Sequence, residues 1–95
     1  MEYKETKVSP INVKHDVDYM SMNFYQRLRN LGYENNIFKD YMISKYIGMN
    51  LSYISCLKNK VSENSTYIPS SNALLKISKA FNVSIEFLLG KTNEH

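Results

Sequence analysis

Residues 46–60, YIGMNLSYISCLKNK, hold two short apolar-patterned runs, broken at Gly48 and restarted behind Asn50. The chain carries three glycines in all, so one placed between two such runs marks a backbone requirement. A left-handed residue at the end of the first run lets the chain leave one helix and enter the next, and glycine adopts that conformation without a Cβ clash. Ser44, four residues earlier, is small and lets the two helix axes approach. Asn50 is expected to cap the second run, a helix over residues 51–58. With Ile54 and Leu57 turned to the core, Leu51, Ser52, Ser55 and Cys56 are left together on an exposed side.

Outward from the helix over 51–58 the spacing predicts four more helices. Before it, Met20, Phe24, Leu28 and Leu31 form one stripe of a 3.6-residue period. That gives a first helix over 19–31, opened by Asp18 and ended by Gly32. Asn35 or Asn36 is expected to cap a second helix carrying Phe38, Met42, Ile43, Tyr46 and Ile47 up to Gly48. After it, NKVSENSTYIPSS (59–71) is rich in Ser, Asn, Thr and Pro and reads as a long loop. Ser70 or Ser71 caps a fourth helix with Leu74, Ile77, Ala80 and Phe81. Ser84 caps a short fifth with Ile85, Leu88 and Leu89, closed by Gly90. Residues 1–17 read as a flexible arm, with a short strand conceivable around Ile11–Val13, and 91–95 as a frayed tail. No strand-period segment competes, so the expected fold is all-α: one compact five-helix domain over residues 18–90.

Composition bounds what such a domain does. At 95 residues, 43% of them apolar, the chain builds one small core with little left to enclose a substrate. The net charge of +3 is unevenly spread: Arg27, Arg29, Lys39, Lys45, Lys58 and Lys60 face only Glu34 and Asp40 within residues 21–62. A local anion-binding face is therefore expected around the opening stretch, beside the plainer reading of a solvated mixed surface. The lone Cys56 forms no internal disulfide, which fits a reducing compartment. No run of the sequence approaches the ~18 apolar residues of a membrane span, so a soluble cytoplasmic protein is expected. His15 and His95 stand far from any cysteine or carboxylate at ligand spacing. Neither a metal site nor a Cys–His nucleophile is expected, and no enzyme, cofactor or small-molecule ligand.

Small Ser44, Gly48, apolar Met49, Asn50 and "YIS" with Ile54 and Leu57 together resemble the phage repressor/Cro-like (lambda-repressor-like) helix-turn-helix family. "FYQRLRNLG" is similar to that family's first helix, and "IPSSNALLKISKAFNVSIEFLLG" to its fourth and fifth. Lys58 and Lys60 stand where the family often has Glu and Gly, Ile43-Ser44 replaces its usual Leu-Ala, and two connectors are longer. The resemblance implies that Leu51, Ser52, Ser55 and Cys56 enter the DNA major groove. It implies phosphate contacts from Lys39 and more weakly Lys45, from Tyr53 at the side, from Lys58, Asn59 and Lys60, and from Tyr67 with Ser65 and Thr66 in the loop. It also implies a homodimer through Ile85, Phe87 and Leu88. The function expected on this ground is double-stranded-DNA binding by a small transcriptional regulator, a repressor in the first instance. With no Arg, Gln or Asn among the four base-facing positions, specificity is expected to be modest. The alternative is a protein-interaction module of the same fold, an antitoxin or adaptor.

Overall fold

In the computed structural model, which describes residues 17–94, a 3₁₀ turn (Tyr19–Ser21) precedes five helices. These are α1 (Phe24–Glu34), α2 (Asp40–Tyr46), α3 (Tyr53–Glu63), α4 (Ser71–Phe81) and α5 (Ile85–Leu88), and no strand occurs among the described residues. The expected all-α, five-helix architecture is present. The arm over residues 1–16, with the Ile11–Val13 segment and His15, and the final His95 lie outside the described residues.

Local chemistry starts three of the helices. Asn23 opens α1 with a reciprocal capping box: its Oδ1 accepts from the Gln26 N–H at 2.8 Å, and Gln26 Oε1 accepts from the Asn23 N–H at 3.0 Å. Asp18 precedes the 3₁₀ turn and makes no side-chain cap, so the expected first helix begins five residues late. Ser70 and Ser84 cap α4 and α5, accepting from Ala73 N–H at 3.4 Å and Phe87 N–H at 3.1 Å.

One device ends four of the helices. A left-handed residue turns the chain, and the next N–H bonds back to a carbonyl five residues earlier. Asn36 (φ 62°) does this for α1, where Ile37 N–H donates to Gly32 O at 2.7 Å. Gly48 (φ 76°) does it for α2, where Met49 N–H donates to Ser44 O at 2.9 Å. Asn82 (φ 55°) and Gly90 (φ 79°) repeat it after α4 and α5, through Val83 N–H to Ser78 O and Lys91 N–H to Glu86 O. Gly32 is therefore not the end of the first helix, and Asn36 closes α1 rather than opening α2.

The core gathers one stripe from each element: Phe24, Leu28, Leu31, Ile43, Ile54, Leu57, Ile77, Phe87 and Leu88, with Tyr19 packed edge-on to Phe87 at 4.7 Å. Each such fully buried apolar side chain contributes about 1.5–3 kcal/mol. α3 sits centrally, packed on both α1 and α2, while α5 closes against α1 and α4. Its stripe runs Ile54, Leu57, Val61, one turn beyond the expected end at 58. The loop before α4 shortens accordingly, to residues 64–70.

Two buried polar groups hold the frame. Arg27 donates from Nε to Leu88 O at 3.0 Å and from Nη1 to the carbonyls of Tyr19 and Met22, fastening α1 to the end of α5 and to the 3₁₀ turn. Burial holds its pKa below the ordinary value. Tyr19 donates its hydroxyl to the Glu34 carboxylate, and burial first, then that carboxylate, pushes the phenol well above its usual range. Asn93 Oδ1 accepts from Met20 N–H at 3.0 Å, so the tail is tied to this turn through that residue.

Candidate nucleic-acid interface

The unit quoted at the outset is an α2–α3 corner with a polar joint. Ser44 is wholly buried; its hydroxyl donates to Asp40 O at 3.2 Å and accepts the Ile54 N–H at 3.0 Å. That N–H belongs to the first turn of α3, where backbone donors have no partner within the helix. Ser52, the residue preceding α3, makes no cap to it; its hydroxyl and N–H both donate to Asn50 Oδ1, at 2.8 and 2.9 Å. The cap of α3 thus comes from the neighbouring helix, which fixes the two axes to each other.

Away from that joint α3 is open. Leu51, Ser52, Ser55 and Cys56 are all exposed, Leu51 and Ser52 in the turn before the helix and Ser55 and Cys56 on it. The extra turn of α3 adds to this face. Asn59 lies four residues after Ser55 and three after Cys56, on the same outward row, followed by Ser62 and Glu63. Placed at 59 on a continuing helix, this carboxamide shares the row with the expected base-facing residues rather than following the helix as a backbone contact. It carries the two-sided donor–acceptor pattern that matches adenine. The signal available in the sequence was Val61, which extends the Ile54–Leu57 spacing by a further turn.

The expected phosphate contacts are dispersed. Lys58 and Lys60 leave opposite flanks of α3: Lys58 Nζ lies 5.9 Å from the Tyr25 ring centroid, Lys60 Nζ 5.5 Å from that of Tyr67. Tyr67 is partly buried against the core, in the loop beyond α3. Lys39 is exposed at the start of α2, where the next residue, Asp40, is already engaged. Asp40 accepts from the Tyr25 hydroxyl at 3.1 Å and faces Arg29 Nη1 at 3.3 Å. Burial, then this carboxylate, raises the Tyr25 pKa.

The geometry bears differently on two more of the expected contacts. The Tyr53 hydroxyl is buried without a hydrogen-bond partner, beside Cys56, Leu57, Lys60 and Tyr67 in a crevice of about 120 Å³, so it does not reach a phosphate. Burial, and next the charge of Tyr67, raise its pKa. Lys45 is exposed and lines a groove with Met42 and Tyr46, the two residues half a turn of α2 from Ser44. In the expected dimer surface, Phe87 and Leu88 are 0% exposed in the core of the protomer; Ile85 alone of the three keeps part of its surface.

Among the described residues no group of His, Cys, Asp and Glu is arranged to hold a metal ion, and no helix is long and apolar enough to cross a membrane. Compared with protein-family models, curated proteins and solved structures, the chain matches none.

Proposed function

We propose that the chain is a small double-stranded-DNA-binding regulator of the lambda-repressor-like helix-turn-helix type, docking α3 in the major groove. The observation that carries the reading is the outward row Ser52, Ser55, Cys56 and Asn59, free of core duty on a helix that Ser44 clamps to α2. A reading helix needs such a row and such rigidity, because base contacts discriminate only when side chains are held in register. Asn59 reads adenine, Ser55 and Ser52 bond less selectively, and Leu51 and Cys56 meet a thymine methyl. Lys58 and Lys60 hold phosphates on either side, with Lys39 and Tyr67 further out. Glu63 ends the row, so the helix approaches with its N-terminal half. A homodimer on a two-fold site belongs to the same proposal, and Ile85 is the one expected contact with surface to offer it. Regulation as a repressor follows from occupying DNA and needs no further activity.

Selection of bound duplexes from a random pool tests this. The expected outcome is an enriched site containing adenine opposite Asn59, with Asn59→Ala losing about 2 kcal/mol and relaxing that single position. The protein-interaction alternative forecasts no enriched sequence and no change on Asn59→Ala.

A further inference from the structure

α2 is apolar on the face it buries and again on the face it shows. Tyr41, Met42 and Tyr46 on α2, and Phe38 just before it, are each 43–54% exposed, four of the seven large exposed apolar side chains among the described residues, all within nine residues. Tyr41, Met42 and Tyr46 wall a groove of about 490 Å³ over Ile37, with Lys45 at its edge. Isolated exposed apolar residues are normal on a protein surface, but a contiguous group on one short helix marks an interaction site. One wall is fixed: the Tyr46 ring packs on Phe81 at 5.0 Å. That side of the groove is therefore held before anything enters it, which lowers the ordering cost of binding.

Charge selects the occupant. Lys39 and Lys45 are exposed on α2 and its cap, and neither pairs with a carboxylate among the described residues. The acid of this helix, Asp40, is held by Arg29 and Tyr25. A second copy of the chain would bring the same lysines against these. Residues 1–16 carry Glu2, Glu5 and Asp16 against Lys4, Lys7 and Lys14, and so bring no net negative charge. The groove also offers no strand edge, since the backbone N–H and C=O groups of a helix point along its axis rather than out of its face, so an added strand finds no ladder to join.

We propose that the outer face of α2 docks an acidic amphipathic helix of a second protein, its apolar stripe between Tyr41, Met42 and Tyr46 and its carboxylates on Lys39 and Lys45. The groove faces away from the α2–α3 joint, and Lys39 is the one residue that the docking site shares with the proposed DNA contacts.

A display library of helical 16-residue peptides tests this, with an apolar i, i+4, i+7 stripe and flanks randomised among Glu, Lys, Gln and Ser, selected on the full-length chain. The expected result is a pool enriched in Glu on the flanks. A synthetic peptide from that pool should shift the amide resonances of residues 38–46 and lose ~10-fold or more in affinity against Met42→Glu or Tyr46→Glu. Lys45→Glu should reverse the preference toward Lys-flanked peptides. Circular dichroism establishes that each surface variant is folded. No enrichment, flanks without acidic bias, or affinity untouched by Met42→Glu and Tyr46→Glu would overturn the proposal. So would a concentration-dependent dimer in sedimentation that Met42→Glu abolishes, because a second copy would then own the face. Peptide binding that appears only after removal of residues 1–16 would overturn it likewise.

Discussion

The junction of α1 with α2 and that of α2 with α3 close a helix in the same way, with the residues exchanged. Each uses a left-handed residue preceded four positions earlier by a small one at the helix contact. In the first junction Asn36 is left-handed and Gly32 gives the room: a Cβ at Gly32 would stand 2.8 Å from both Ile37 O and Ile43 Cδ1. In the second Gly48 is left-handed, with nothing within 4 Å of an added Cβ, and the small residue is Ser44. Glycine thus answers two different demands, space at 32 and backbone conformation at 48. Ser44 adds what glycine lacks at the corresponding place, a hydroxyl that satisfies a buried N–H of the next helix.

Substitutions separate these demands. Gly32→Val should have the largest effect, a loss of about 3 kcal/mol in urea unfolding, because both obstructing atoms belong to packed groups. Retained stability would mean α1 and α2 are not in close contact. Ser44→Ala keeps the volume nearly unchanged but strands the Ile54 N–H, for an expected loss of about 2 kcal/mol. Gly48→Ala meets no atom and carries only the conformational cost, about 1 kcal/mol; a larger loss would show that the second junction is also crowded.

Titration distinguishes the junctions again. Tyr19 and Tyr25, bonded to Glu34 and Asp40, sit at the first one, and both pKa values are raised by burial and by those acids. A raised phenol pKa leaves the native state holding more protons than the unfolded chain above about pH 10. Stability should be flat on approach to that pH and fall beyond it, and Tyr25→Phe should flatten the fall. An unchanged slope would remove the phenol–carboxylate contact from the account.

Much of the frame was legible because its signals are local. Ser70 and Ser84 precede periodic apolar runs and cap them, and Gly48 stands between two runs too close for any other connection. What misled were residues with two local meanings. Gly32 follows the stripe of Leu28 and Leu31 as a terminating glycine would, yet its reason lies in Ile43, eleven residues on. The Ser- and Asn-rich stretch after Leu57 reads as loop by composition, while Val61 keeps it helical by reaching the core. Burial of Phe87 and Leu88, the carbonyl cage around Arg27 and the sealed Tyr53 hydroxyl depend on elements distant in sequence, so periodicity does not report them. The outward row of α3 was partly visible for the same reason: Ser55 and Cys56 follow from Ile54 and Leu57, and Asn59 only from the full length of α3.

The central claim, that the open side of α3 meets DNA, is tested most directly by fluorescence anisotropy of the selected duplex across a salt series. With Lys39, Lys58 and Lys60 each neutralising one phosphate, log affinity should fall linearly with log salt at a slope of about −3 per protomer. The Lys58→Ala/Lys60→Ala pair should bring that slope to about −1. Absence of binding at low salt, or a slope that the double substitution leaves unchanged, would contradict the account.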